Sequence, residues 1–331
     1  MSILERYQNR VDEYRLNGNY LWKLGLLRKT ENAKLLLDYG TLHAFVKTPH
    51  SVAYKCKFYT NSNNLQEELS DNYLASSSEM LCKNIFENFG FITAKYYPYK
   101  IGSKIHLASP NFLEGICEYT TLHAFLCQKM SPKQEESLLE GDENAISLKM
   151  MLRYFARNNL TFTLENKTDF LKFMTEECYD KYVSYMLLSL FAFCNDEHPN
   201  NIIFCRDDSS KKFQDVFIFD KESTAFNYFL AKKMKFCDIK HKMFHQEQEG
   251  SDIIVNYGAE SYSDKLKGIK RLVLEGKIDK KYIDLINQYA NLSLEGLRDK
   301  VYIEDGLYIK DEQLDCYKLG RDCAEELLQN C

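Results

Sequence analysis

The run Asn195-Asp196-Glu197-His198-Pro199-Asn200-Asn201 is followed, nineteen residues after Asn201, by Asp220 at the end of Val216-Phe217-Ile218-Phe219. These residue types form a kit for moving a phosphoryl group. Such a reaction needs little covalent help from a protein. It needs a nucleophile held in line and charge neutralised on the phosphate oxygens. Asp196 is suited to orient, and to deprotonate, an attacking hydroxyl. Asn201 and Asp220 offer the oxygen donors that magnesium prefers from one or two side chains, the remainder coming from phosphates and water. His198 stiffens the segment through hydrogen bonds, and with Asp196 and Asn201 it completes the catalytic set.

The elements that must position this kit can be read on either side of it. A helix is predicted over about Thr168–Phe193, and its apolar run Tyr185–Phe193 implies burial on all sides. Pro199 blocks any continuation of that helix. Asn201–Cys205 reads as a strand, Arg206–Lys212 as a turn and Phe213–Phe219 as the returning strand. The midpoint between Asn201 and Asp220 falls at Ser210-Lys211. Antiparallel pairing therefore brings Asn201 and Asp220 to the same open end, beside Asp196 and His198.

A phosphate also needs a cation, and the first third of the chain offers one. Residues 42–47 and 52–59 read as strands around the turn Thr48-Pro49-His50-Ser51. Alternation places Lys55 and Lys57 on one face of the second strand, and either fits the role by pattern. Lys57 is taken as the phosphate contact. Residues 71–89 form a helix, with Ser70 as its N-cap and Gly90 as its stop. Leu74, Ser78, Leu81, Ile85 and Phe89 make its inward stripe. Glu79 stands beside that stripe, in a row with Ala75, Cys82 and Phe86, where a carboxylate needs a partner. Pairing with Lys57 would supply it.

Residues 92–119 read as further strand, with a hairpin turn at Gly102-Ser103 and a connector at Pro110–Gly115. From about residue 120 the pattern is mostly helical, including 264–275, 279–290 and 311–329. Residues 3–28 also read as helix. This predicts an α+β chain of two lobes around a cleft: a helical extension over 1–38, a strand-rich lobe over 39–118 and a helical lobe over 119–331.

Composition excludes several functions. The 331 residues carry a net charge of −5 with both signs interspersed, which argues against a nucleic-acid partner. The 11 cysteines are scattered, without a CxxC pair, and many sit in apolar runs. That pattern points to buried, reduced thiols rather than disulfides or zinc. His241 and His245 are read as surface or core residues. No apolar run approaches the roughly twenty residues that span a bilayer, and the first residues lack a signal-peptide core. A membrane partner is not expected, and the cytoplasm is the expected compartment. The lysines of Lys232-Lys233-Met234-Lys235, with Lys240 and Lys242, read as a solvated face.

On these motifs the chain resembles the HipA-like kinases, and within them the CtkA-like proteins. The family signature is an Asp-x-His-x-x-Asn loop followed by an Ile/Phe-rich strand ending in a metal-binding Asp. Here these are Asp196–Asn201 and Phe217-Ile218-Phe219-Asp220, with Ser223-Thr224 just beyond. Lys57-Phe58, Ser78-Glu79 and Asn88-Phe89-Gly90-Phe91 match the family's strand end, helix and helix exit, so the resemblance spans about 40–225. The chain departs from the family in having Glu197 for a frequent Arg and Lys221 after the metal Asp, and in lacking a Gly-rich loop before the first strand.

The resemblance implies a protein-kinase-like two-lobe fold. It also implies ATP- and magnesium-dependent phosphorylation of Ser or Thr in a protein substrate, the chain itself included. Asp196 would be the base, Asn201 and Asp220 the magnesium ligands, Lys57 the phosphate contact and Glu79 its anchor. The connector between the lobes, near residues 112–118 and including Glu114 and Ile116, would hold the adenine through backbone groups. Two other activities fit the same motif. A phosphatidylinositol-type lipid kinase carries a similar loop, and a catalytically weak pseudokinase would bind nucleotide as an interaction module.

Overall fold

The computed structural model describes residues 2–16, 41–46, 52–60, 71–95, 97–101, 104–109, 113, 116–121, 160–165, 167–194, 202–218, 226–245, 262–305 and 308–329. Helix and strand are mixed, as expected for an α+β chain. The strands, in chain order, are β1 (Thr41–Val46), β2 (Val52–Thr60), β3 (Ile92–Thr93), β4 (Tyr97–Ile101), β5 (Lys104–Ser109), β6 (Glu118–Thr121), β7 (Ile202–Arg206) and β8 (Asp215–Ile218). They form two four-stranded sheets, β1-β2-β5-β4 and β3-β8-β7-β6.

The first sheet is antiparallel throughout. Ile101 pairs with Lys104, so the register leaves Gly102-Ser103 as the two residues between β4 and β5. Lys57 sits on the interior strand β2, opposite Thr41 on one side and Leu107 on the other. In the second sheet β3 runs parallel to β8, while β6–β7 and β7–β8 are antiparallel.

Helix α1 covers Ile3–Leu16, within the predicted 3–28; residues 17–28 lie outside the described residues. The buried Tyr7 hydroxyl donates to the Thr93 carbonyl at 2.8 Å, and its ring meets Phe217 edge-on at 5.9 Å. Thus α1 seals the β3–β8 side of the second sheet.

Helix α2 covers Asp71–Asn88 and packs against β2. Of the predicted stripe, Leu74, Ser78, Leu81 and Ile85 are fully buried and Phe89 is half-buried, and burial goes further: every residue from Ser77 to Phe86 is buried. The helix ends as its sequence predicts. Gly90 takes φ +78°, its N–H donates to the Glu87 carbonyl at 3.0 Å, and the Phe91 N–H donates to the Phe86 carbonyl at 3.2 Å. The Phe86 and Phe91 rings then meet edge-on at 5.6 Å, the apolar contact that accompanies this kind of stop.

The helix predicted over about 168–193 is broken. Short helices α3 (Leu160–Glu165) and α4 (Lys167–Phe170) come first, and α5 runs only over Glu176–Phe191. Between them Met174 bridges to Phe213. The physical reason is a cap. The Thr175 side chain accepts from the Cys178 N–H at 3.2 Å, and Glu176 and Glu177 fill the first turn, where carboxylates favour the positive helix end. The predicted all-round burial holds: every residue from Tyr185 to Cys194 is buried.

Beyond the second sheet the described chain is helical: α6 (Asn227–Ala231), α7 (Phe236–His245), α8 (Tyr262–Leu274), α9 (Lys280–Ala290), α10 (Leu294–Asp305) and α11 (Asp311–Leu328). Three of these, α8, α9 and α11, match expected helices to within two residues. α11 packs against α2, α5 and α9. No helix among the described residues is long and apolar enough to cross a membrane.

Candidate functional site

The hairpin β7–β8 is the scaffold of the candidate site. Ile202 pairs with Ile218 and Cys205 with Asp215, so the chain enters β7 and leaves β8 at one end. The connection at the other end runs from Asp207 to Gln214, shifted from the turn expected over 206–212: Arg206 belongs to β7, and Phe213 and Gln214 precede β8. Aromatic packing seats the hairpin on α5: Phe204 meets Tyr182 edge-on at 5.5 Å, and within the hairpin it packs against the tilted Phe213 ring at 5.5 Å. An ion pair adds to this. Lys181 of α5 donates to both oxygens of the nearly buried Asp215 carboxylate, at 2.7 and 2.8 Å, and the Val216 N–H also donates to it at 2.8 Å. A charge-assisted fork of this kind fixes orientation as well as adding energy. On the outer edge the Ala94 N–H donates to the Ile218 carbonyl at 2.9 Å.

Asn195 directly follows Cys194, two residues past the C-cap of α5, and Asn201 directly precedes Ile202. Asp220 stands two residues after Ile218. Asp196, His198, Asn201, Asp220 and Glu114 themselves lie outside the described residues. The described frame therefore brings together the two chain ends that flank the motif.

Glu79 is buried in the middle of α2, at 2% exposure. A carboxylate so deep is retained only with compensating partners. Lys57 lies on the strand against which α2 packs, so the expected pair belongs to two adjoining elements; its side chain lies outside the described part. The same holds for Lys55, which sits opposite His43 and Ser109. Ile116 is buried in the connector, where its N–H donates to the Leu113 carbonyl at 3.0 Å.

Buried thiols surround this frame. The described cysteines are all free, and Cys237 alone among them is exposed. Cys82 of α2 lies 4.0 Å from Cys194 and 3.1 Å from the Tyr317 hydroxyl of α11. Burial, then the neighbouring Cys194, push the Cys82 pKa well up, as expected for structural rather than reactive thiols. Cys117 is hydrogen-bonded to Cys205, and that bond holds its pKa down against burial. Among the described residues no group of three His, Cys, Asp or Glu could hold a metal ion.

Sequence reasoning missed the polar tie that fixes α2. Gln313 of α11 accepts from the Ser77 hydroxyl at 3.0 Å and donates to the Leu74 carbonyl and the Ser78 hydroxyl, each at 3.2 Å. The Ser78 hydroxyl donates in turn to the Asn227 side-chain oxygen of α6 at 3.1 Å. Partners 149 to 239 residues apart leave no local signal. Ser78, the one polar residue on an otherwise apolar stripe, is the local hint.

No protein-family model matches the sequence, and no curated protein matches it. Among solved structures the chain is similar to the Helicobacter pylori proinflammatory kinase CtkA. The two share 14% identity, with a TM-score of 0.46 over 85% of this chain and 88% of that one.

Proposed function

We propose that the chain is an ATP- and magnesium-dependent kinase of HipA-like type. In this reading it has a protein-kinase-like two-lobe fold and phosphorylates serine or threonine in a protein substrate, itself included. The observation that carries the reading is the pairing of Ile202 with Ile218. It supports the reading because it puts the residue after Asn201 and the residue two before Asp220 side by side at one end of the hairpin. The packing of Glu79's helix against Lys57's strand supports the second half of the site.

In this reading Asp196 orients the attacking hydroxyl and takes its proton, while His198 holds the loop. Asn201 and Asp220 would hold magnesium, whose charge, when it is bound, neutralises that of the nucleotide phosphates. Lys57 contacts the phosphates and Glu79 fixes the lysine. Backbone groups at Glu114 and Ile116 receive the adenine.

The test is incubation of the purified full chain with labelled ATP and magnesium, followed by mass spectrometry of the protein and of an added protein substrate. Phosphoserine or phosphothreonine is expected. Asp196→Ala should lower the rate about 10²–10⁴-fold, the usual contribution of a positioned base. Phosphate appearing on added phosphoinositide vesicles and never on protein would replace this reading with lipid phosphorylation. Absence of any transfer, with ATP still stabilising the fold, would leave only a nucleotide-binding module.

A further inference from the structure

We infer that Phe193 and Gly320 are positioning residues that fix where the chain leaves α5 for the Asn195–Asn201 segment, and that α11 is the element that carries this control. The catalytic consequence rests on the kinase reading. The geometry does not.

The end of α5 is closed by the same pair of bonds as the end of α2. The Phe193 N–H donates to the Leu190 carbonyl at 3.1 Å and the Cys194 N–H to the Ser189 carbonyl at 2.9 Å. This stop demands a left-handed residue, for which glycine is the usual choice. Here it is Phe193, at φ +54°. A bulky side chain in that region is unfavourable and persists only where its surroundings over-determine it. They do: the ring is 1% exposed and packs edge-on against Tyr262 at 5.0 Å, Phe244 at 6.2 Å and Phe226 at 6.5 Å.

Gly320 is the complementary oddity. It lies inside α11, where glycine is a poor helix former. Its need is for space, not for unusual φ. A Cβ there would stand 1.8 Å from the Phe191 carbonyl oxygen and 3.2 Å from the Phe193 ring. Adding a methyl group must therefore push the end of α5 away. By contrast, a Cβ at Gly276, the left-handed stop beyond α8, would meet nothing within 4 Å.

Two locally unfavourable residues thus meet at one contact, immediately before the motif. One turn earlier on α11, Tyr317 reaches Cys82 of α2, and Cys82 reaches Cys194. A single helix therefore sets the end of α5 against the helix that carries Glu79.

The test uses the full chain and three variants, read by hydrogen exchange in the peptide spanning residues 192–203 and by steady-state kinetics. Gly320→Ala should speed exchange in that peptide about tenfold more than across the helical region as a whole. It should lower kcat about tenfold or more while KM for ATP moves less than about threefold. Gly276→Ala, a perturbed helix stop away from this contact, should leave both readings as in the wild type. Should Gly320→Ala not fold, Phe193→Leu, which keeps bulk but loses the ring contacts, must give the same pattern. Exchange that is unchanged at 192–203, or raised evenly along the chain, overturns the inference. So does an equal response in Gly276→Ala. A wild type that transfers no phosphate overturns the kinase reading instead, and the exchange measurement still decides the positioning.

Discussion

Helices α2 and α5 end by the same backbone device with opposite residues. At the end of α2, Gly90 supplies the left-handed turn at an exposed position, with nothing within 4 Å of where a Cβ would stand. At the end of α5, Phe193 takes the same turn while buried in a ring of aromatics. The first stop is set by local chemistry and would work in an isolated peptide. The second is set by tertiary packing, because the rings of α7 and α8 and the bare backbone at Gly320 hold a conformation that phenylalanine would otherwise avoid. A glycine stop only ends a helix. A buried phenylalanine stop also fixes the direction in which the chain departs.

The comparison can be broken most forcefully at Phe193. Truncation to Ala should cost about 3–5 kcal/mol, as for other large core side chains. Phe193→Gly should be less damaging than Phe193→Ala by about 1 kcal/mol, because glycine accepts the left-handed turn. Denaturant midpoints with unchanged slopes would measure this, and an alanine variant as stable as the glycine variant contradicts the account. Next in size is Gln313→Leu, which removes one buried partner from each of Ser77, Ser78 and Leu74, while the Ser77 hydroxyl keeps its 3.1 Å bond to the Leu74 carbonyl. It should cost about 1–3 kcal/mol. Gly90→Ala should cost only about 1–2 kcal/mol, through backbone conformation alone. Its effect on exchange should stay within the last turn of α2.

The smallest expected effect lies in pH. Glu87, in the last turn of α2, faces Lys83 at 4.0 Å, Lys300 at 3.9 Å, and Lys95 and Thr93 in direct hydrogen bonds. Burial works to raise its pKa, but Lys83 and Lys95 outweigh it, so the pKa lies below the usual glutamate value. Its folded pKa is therefore depressed. The stability it contributes is present above the unfolded value of about 4.3 and fades as pH falls below it. Glu87→Gln should flatten the acid limb of a stability–pH curve below about pH 4.5. An unchanged limb would remove Glu87 from the account.

Much of the frame was legible because it obeys local rules. Gly90 announced its helix stop, the alternation in 52–59 announced β2, and the symmetric spacing about Ser210-Lys211 announced the β7–β8 hairpin. The run 168–193 misled because Leu171, Phe173 and Met174 continue the apolar pattern straight through a break. The signal was Thr175 followed by two glutamates, a cap that competes with periodicity. What no local rule reveals is the hold of α11 on α2 and α5. An isolated glycine inside a helical pattern, as at Gly320, is the one mark that such a close approach leaves in sequence. Of the site residues, Glu79 was legible as a carboxylate on the flank of a buried stripe. The meeting of Ile202 and Ile218 at one end of the hairpin was legible only through the spacing about its turn.

The most direct measurement is titration of magnesium-ATP into the wild type, Asp196→Ala and Asp220→Ala chains, by calorimetry or by thermal shift at a hundred times the dissociation constant. A bound site should then add about 2.7 kcal/mol of stability. The account predicts that gain for the wild type and Asp196→Ala, and its loss in Asp220→Ala. Equal nucleotide affinity in all three chains, or none in any, would contradict it.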